Sequence, residues 1–384
     1  TVAAWKSRRQ ANVKGGMTGV ADVGTHASTL TVRLAPAVLA MLAAPAVFGG
    51  EFRSFDGSGN NPDAPMTNAA HEPLYRSMAP HYSDQMAGMA GGDRAGPREI
   101  SNAVCAQTAS NPNPDGLNDL FWQWGQFLDH DIDLTGTASP KEYALIQVPA
   151  GDEFFDPSHS GTAVIMFTRS QYADGTGDDP ANPRAQTNSI TGWIDASNVY
   201  GSNEERALAL RTLDGHGTLK TSPGHLLPFN EAGLPNAGDG PSFFLAGDVR
   251  ANEQIGLTAL HTVFVREHNR LARRIAQRRS HWDGERIYQE ARALVAAEIQ
   301  IVTYEEWLPL LLGRRALPKY RGYDPGHDAT IANVFSTAAF RFGHSMLNER
   351  VLRLDRHGRE IAAGHLLLKR SFFAPEEIVN NGIA

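Results

Sequence analysis

The sequence contains one cysteine, Cys105, in 384 residues. That scarcity excludes an internal disulfide framework and any zinc or iron–sulfur site built from thiolates. Metal chemistry must therefore use His, Asp, Glu and carbonyl oxygens. Long runs of one charge sign are also missing. Thirty-five basic residues face 42 acidic ones for a net charge of −7, so nothing points to a nucleic-acid partner. No HExxH pattern occurs, which removes the dense ligand set of a helical metal-dependent hydrolase. No internal repeat is present. No apolar run reaches the ~20 residues that a bilayer span needs. The nearest, Leu34 to Phe48, is uncharged and Ala-rich and follows Arg33. It reads as the apolar region of a secretory signal, with Met17 as the expected start and Gly49 and Gly50 following a cleavage point. The competing reading is a buried helix broken by Pro36 and Pro45. The signal reading implies a secreted, extracellular or periplasmic product without a stable membrane anchor.

At 41% hydrophobic content the chain can bury a sizeable core, and its length admits one large domain or two. Composition divides it in three. Residues 1 to 50 hold the leader. Residues 51 to 115, rich in Gly, Pro, Asn and Asp, predict an irregular arm wrapping a core, and 116 to 384 form the main body. Helical periodicity begins at Leu117. Leu117, Leu120, Phe121, Trp124, Phe127 and Leu128 recur three and four apart, predicting a helix with a buried stripe. The same spacing predicts helices over Ile255 to Gln277, Glu285 to Leu312 and Ala329 to Leu347. Residues 135 to 245 show few alternating patterns. The expected class is mainly α, with long irregular connections and little β.

Two segments carry chemistry. In Gln126-Phe-Leu-Asp-His-Asp131, His130 and Gln126 lie four apart on one helix face, and Asp129, Asp131 and Asp133 surround the imidazole. Carboxylates at the end of so apolar a helix are tolerated when protonated, covalently used or bound to a cation; a solvated acidic terminus is the plainer alternative. In Thr191-Gly-Trp-Ile-Asp-Ala-Ser197, side-chain oxygens recur at 191, 195 and 197, and an extended loop adds the carbonyl of Trp193. Alternating hard oxygens suit calcium, with Asp131 able to complete the shell. An Asp/Ser turn bonded to its own backbone is the alternative.

These residues, together with Arg184 to Asn188, Thr191 to Ser202, Phe244 to Glu253, Arg266 to Asn269, Trp282 to Arg292 and Phe340 to His344, resemble the ordered motifs of the animal haem peroxidases. That is the family of myeloperoxidase, lactoperoxidase and peroxidasin. The resemblance runs from about Arg98 to the end and, without disulfides, looks closer to microbial members. It implies a helical haem peroxidase fold around haem b, hydrogen peroxide as oxidant, and small anionic or phenolic donors. It implies that His130 is the distal acid–base group, that Arg250 stabilises charge on the O–O bond, and that Gln126 positions water or a halide. His344 would be the proximal iron ligand; spacing alone does not separate it from His261 or His268. Asp129 and Glu253 match the carboxylates that form esters with haem, and Arg341 is a candidate propionate partner. Asp131, Thr191, Trp193, Asp195 and Ser197 match calcium ligands. Gln254 stands where myeloperoxidase has a haem-linked methionine, so weaker chlorination is expected than in that enzyme. The family continues beyond the proximal histidine, so a fragment or truncated product is expected. Rival functions are a calcium-binding adhesion or matrix protein of the same fold and a fatty-acid dioxygenase. The dioxygenase would want a radical-forming tyrosine near the proximal histidine, and cyclooxygenases carry it three residues before, at Arg341 here.

Overall fold

The computed structural model describes residues 52–238, 240–354, 357, 359–376 and 378; the apolar Leu34–Phe48 segment lies outside them. Helices dominate. They are α1 (Pro97–Cys105), α2 (Leu120–Ile132), α3 (Ser197–Tyr200), α4 (Glu204–Leu210), α5 (Ile255–Arg278) and α6 (Gly284–Ile301), with α7 (Leu308–Leu311), α8 (Asn333–Thr337) and α9 (Leu368–Ser371). The strands form two antiparallel pairs, β1 (Ile146–Gln147) with β2 (Val164–Ile165) and β3 (Arg350–Leu354) with β4 (Glu360–Leu367). None of the described helices is long and apolar enough to cross a membrane.

The core forms where α2 crosses α5 and where α5 packs on α6. Along α5, Leu257, His261, Phe264, Val265, His268, Leu271, Ala272 and Ile275 are buried at the three- and four-residue spacing of one helix face. Its entry is fixed by Gln254, whose side chain accepts from the Gly256 amide at 2.7 Å. Asp283 caps α6 in the same way, accepting from Arg286 N at 2.8 Å. In α2 burial is not confined to a stripe: eleven consecutive or near-consecutive residues from Phe121 to Ile132 are inside, with only Gln126 partly open. A helix apolar on nearly every side belongs in the middle of a core.

Three expectations change. Glu285 to Leu312 is not one helix: α6 ends at Ile301, a π-helical turn spans Val302–Trp307, and α7 follows. Pro309 supplies the reason, because its ring lacks an N–H and crowds the carbonyl four residues back, and a wider turn accommodates both. Ala329 to Leu347 also breaks. The short α8 ends at Ala338, and Ala339–Met346 is a 3₁₀ helix with no buried residue. Only Phe340 and Met346 pack against the core there, and both stay partly open, so little holds that segment in regular α geometry. Within 51–115, where an irregular arm is expected, α1 is an added helix. The stretch before it is stitched to the body by bridges Pro73–Thr187 and Tyr75–Ala332, and Arg292 donates to the carbonyls of Arg53 and Ser54 at 2.8 and 2.7 Å.

Candidate active site

A cavity of about 220 Å³ lies between α2 and the 3₁₀ segment. Gln126, Asp129 and His130 line one wall, Arg250, Glu253 and Gln254 the next, and Arg341 and His344 face them from the 3₁₀ side. Trp122, Trp307, Phe340 and Phe342 supply the apolar lining. Trp307 arrives through the π turn and is fixed by donating Nε1–H to the Phe121 carbonyl at 2.8 Å.

The end of α2 is held from outside the helix. Asn188 donates to the Ile132 carbonyl at 2.8 Å and accepts from Leu134 N at 2.9 Å. The imidazole of His130 is 4% exposed. Burial first, and the nearby Arg250 guanidinium second, push it well below the usual histidine range, so it is neutral at physiological pH. Nε2 lies 3.7 Å from the Glu253 carboxylate and Nδ1 lies 3.7 Å from Asp248. Both separations exceed hydrogen-bond distance.

Arg250 is set by Asp248, a residue the motif contains but sequence reasoning does not single out. The guanidinium grips both carboxylate oxygens, Nε to Oδ1 at 2.8 Å and Nη2 to Oδ2 at 2.9 Å, and Nη2 also donates to the Asp133 carbonyl at 2.9 Å. Burial alone would raise Asp248, yet the charge and hydrogen bonds of Arg250 hold its carboxyl well below the ordinary range. Residues two apart do not face each other on a helix. Here Arg250 reaches back because 247–250 is a turn, whose amide at 248 donates to the Asn198 carbonyl at 2.9 Å. Gly247 permits that approach, since any Cβ would strike the backbone of Ser197 and Gly201.

Asp129 and Glu253 sit at the cavity edge. Burial raises both toward the neutral acid, with Arg250 opposing in each case. Asp129 Oδ1 has no hydrogen-bond partner, while Oδ2 lies 3.8 Å from Arg250 and 3.9 Å from Arg341. Glu253 accepts from Gln126 Nε2 at 2.7 Å, and Gln126 in turn accepts from Gln254 at 2.9 Å. Asp133 is buried with no hydrogen bond to either oxygen; burial and Asp129 raise it to about 7.

The second cluster lies behind α2. Asp131 and Asp195 are 0% and 1% exposed. Thr191 Oγ1 donates to Asp195 at 3.0 Å, Ser197 Oγ donates to the Asp131 carbonyl at 3.0 Å, and the amides of Ala196 and Asn198 donate to the Asp131 carboxylate at 3.2 and 3.1 Å. The Trp193 carbonyl accepts from Asp195 N at 2.9 Å. Burial, then mutual repulsion, raises Asp131 far above the carboxylate range. Among the described residues no three His, Cys, Asp or Glu side chains are placed to hold a metal ion together. The cluster instead mixes two carboxylates with hydroxyls and carbonyls.

His261 and His268 stand apart from the cavity lining. His268 is bracketed by Tyr200 Oη at Nδ1 and the Gly217 carbonyl at Nε2, both at 2.9 Å. Asn269 pairs with both backbone groups of Leu219 at 2.7 and 3.0 Å, and Arg266 donates to the carbonyls of Gly224 and His225 at 2.9 and 2.8 Å.

The fold and this cavity define a mainly helical protein with a histidine-lined candidate active site, and comparison with known proteins supplies its family. The family model described as "Animal haem peroxidase" matches residues 52–384, and the chain belongs to that family. The human "Peroxidasin homolog" is 38% identical over 387 residues, covering 87% of this chain and 25% of its own length. The chain thus spans about a quarter of that relative. Peroxidase A from Dictyostelium discoideum superposes with a TM-score of 0.78 at 31% identity, covering 86% of this chain and 66% of that one. A fatty acid alpha-dioxygenase from Arabidopsis thaliana, at 19% identity and a TM-score of 0.67, shares the fold alone.

Proposed function

We propose that the chain reduces hydrogen peroxide at a haem b bound between His130 and His344 and oxidises small anionic or phenolic donors. The observation that carries this reading is one cavity lined by both imidazoles, from different elements, with Arg250, Gln126, Asp129 and Glu253 around it. The residues fit the group: an apolar lining would sandwich the porphyrin, and the orphaned buried oxygen of Asp129 lies at its edge. His344 would hold the iron, Arg341 would face a propionate, and Asp129 and Glu253 would anchor the haem rim, as esters or as neutral acids. Haem supplies the redox chemistry when bound.

The protein's own part is proton transfer and charge. Neutral His130 accepts the proton from the peroxide oxygen that attacks and delivers it to the oxygen that departs as water. Arg250 cannot lose its proton and is locked by Asp248, so its charge meets the polarising O–O bond without reorganising. Gln126, held by Gln254 and Glu253, fixes a small guest beside His130. Gln254 is buried in that chain of amides, and a glutamine there offers no thioether; chlorination is weak, and bromide, iodide, thiocyanate or phenols are the better donors.

A calcium ion held by Asp131, Thr191, Trp193 through its carbonyl, Asp195 and Ser197 would neutralise the two buried carboxylates. Because Asp131 adjoins His130, that ion sets the position of the imidazole. The reading includes secretion to an extracellular or periplasmic compartment, where calcium is abundant.

Absorption spectra after haem reconstitution test the proposal, with and without peroxide. A Soret band that responds to peroxide and loses that response on calcium chelation is expected. Calcium binding without a Soret band would make the chain a non-enzymatic calcium-binding protein of this fold, and efficient chlorination would overturn the donor preference.

A further inference from the structure

Behind His130, away from the cavity, lies a group of buried polar atoms that the proposed chemistry does not use. His130 Nδ1 has no hydrogen-bond partner, nor do Nδ1 and Nε2 of His261, nor Oδ1 of Asn198. Asn198, His130 and His261 are 0%, 4% and 0% exposed. They come from three elements that meet here, α3, α2 and α5. Asn198 is fixed by donating Nδ2–H to the Phe127 carbonyl at 2.8 Å, and the His261 ring meets Phe127 edge-on at 5.1 Å between centroids. Phe127 lies three residues before His130, so both contacts fall on the turn of α2 that carries the imidazole. Asp248 and Arg250 act on both rings, His261 acts on His130, and the His261 ring approaches the Asn198 backbone outside hydrogen-bond geometry.

A neutral imidazole used as a base at Nε2 must carry its proton on Nδ1. Asp248 Oδ1, at 3.7 Å, is too distant for a hydrogen bond, and the Asp248 oxygens already accept three hydrogen bonds from Arg250. Leaving a donor unpaired in so buried a place is costly, and three orphaned neighbours add to that cost. Folded proteins meet this situation with an internal water that makes about three hydrogen bonds.

We propose that one buried water, held by His261 and the side-chain oxygen of Asn198, accepts the Nδ1–H of His130 and so keeps Nε2 bare toward the cavity. His261 is then a positioning residue: it touches neither peroxide nor haem and acts through the tautomer of His130. The inference rests on the peroxidase reading for its consequence but not for its geometry. No proton crosses the water during turnover; it only accepts a standing hydrogen bond.

The test has two parts. In the full chain, imidazole ¹⁵N spectra report which ring nitrogen of His130 is protonated, and a high-resolution crystal structure reports the water. Nδ1–H and a water within hydrogen-bond distance of His130, His261 and Asn198 are expected. A proton on Nε2, or a dry site, overturns the proposal without the need for any variant. In the second part His261→Phe removes both nitrogens, and His261→Gln keeps a polar group. The phenylalanine variant should lose the Nδ1–H preference and slow its reaction with peroxide about 10-fold, within the range for partners that orient an active-site group, at unchanged Soret intensity. His261→Gln should restore most of the rate. Equal tautomer populations and rates in His261→Phe and the parent chain would sink the idea while leaving the peroxidase reading intact. Failure of the parent chain to bind haem would sink that reading and leave the water site standing.

Discussion

Every residue from Phe127 to Ile132 is buried, whereas no residue of Ala339–Met346 is. The two imidazoles that face one cavity therefore rest on different foundations. His130 sits on a helix whose end is gripped by Asn188, whose flank is tied to Asn198, and whose neighbour Asp131 accepts from two amides. His344 sits on a 3₁₀ segment held mainly by aromatic contacts of Phe340 with Trp307 and Phe335, at 6.2 and 4.8 Å. A group that moves protons needs its geometry set before substrate arrives. A group that grips a metal gains geometry from the bond itself. The contrast matches the division of roles proposed for His130 and His344.

The sharpest way to break the comparison is to remove each imidazole. His130→Gln should bind haem with a normal Soret band and react with peroxide roughly a hundred- to ten-thousand-fold more slowly, the usual contribution of a positioned acid–base group. His344→Ala should lose the Soret band itself. Stopped-flow absorbance separates the two, and a His344→Ala protein with unchanged haem affinity would remove the assigned division of labour.

Acid stability probes the buried side next. The neutral His268 ring donates from Nε2 to the Gly217 carbonyl and accepts at Nδ1 from Tyr200, and burial lowers it to about 4. The unfolded chain, with its ordinary value near 6.5, binds the proton first. Stability is therefore complete above pH 6.5 and is lost as pH falls toward about 4, by up to ~3 kcal/mol for this group. His261, also lowered to about 4 by burial, shares the window. Urea unfolding of His268→Gln at pH 7 and pH 5 should show a shallower loss than the parent chain, with His261 retaining part of the slope; an identical slope would contradict the assignment.

How much of this was legible depended on whether the signal was local. The burial of α2 was, because its apolar residues recur at helical spacing, and the alternating oxygens of Thr191 to Ser197 marked the second cluster. The break at Ala338 was not, since apolar spacing over 329–347 reads as a helix, whereas in Ala339–Met346 only Phe340 and Met346 pack against the core and no residue is buried. Asp248 was hidden by the rule that residues two apart diverge on a helix; the turn that lets it clamp Arg250 depends on Gly247 resting against Ser197–Gly201, a contact between distant segments. His261 and His268 looked alike, seven apart on one face, yet one is fully partnered and the other has no partner at either nitrogen.

Arginines on the two sides sharpen the contrast further. Asp248→Asn keeps the size of the clamp residue but removes its charge and one of its two acceptor oxygens, and the peroxide rate should fall about 10- to 100-fold. Arg341 is 45% exposed and approaches Asp129 and Asp133 only at 3.9 Å. Arg341→Gln should alter the same rate by less than about fivefold, as expected for an exposed, loosely paired charge. The reverse order, measured under one peroxide concentration series, would mean that the exposed wall governs the reaction.

The finest test uses two serines that differ in little but their surroundings. Ser197 Oγ donates to the Asp131 carbonyl inside the core, and its loss leaves buried oxygens short of a donor, so Ser197→Ala should cost about 1–3 kcal/mol. Ser345 Oγ donates to the Phe342 carbonyl at 2.7 Å on the exposed 3₁₀ segment, where water replaces it at once. Ser345→Ala should stay within about 0.5 kcal/mol of the parent chain. Thermal unfolding of both variants with calcium present decides the matter. If the two costs match, local packing does not distinguish the walls, and the exposed segment is as tightly specified as the helix it faces.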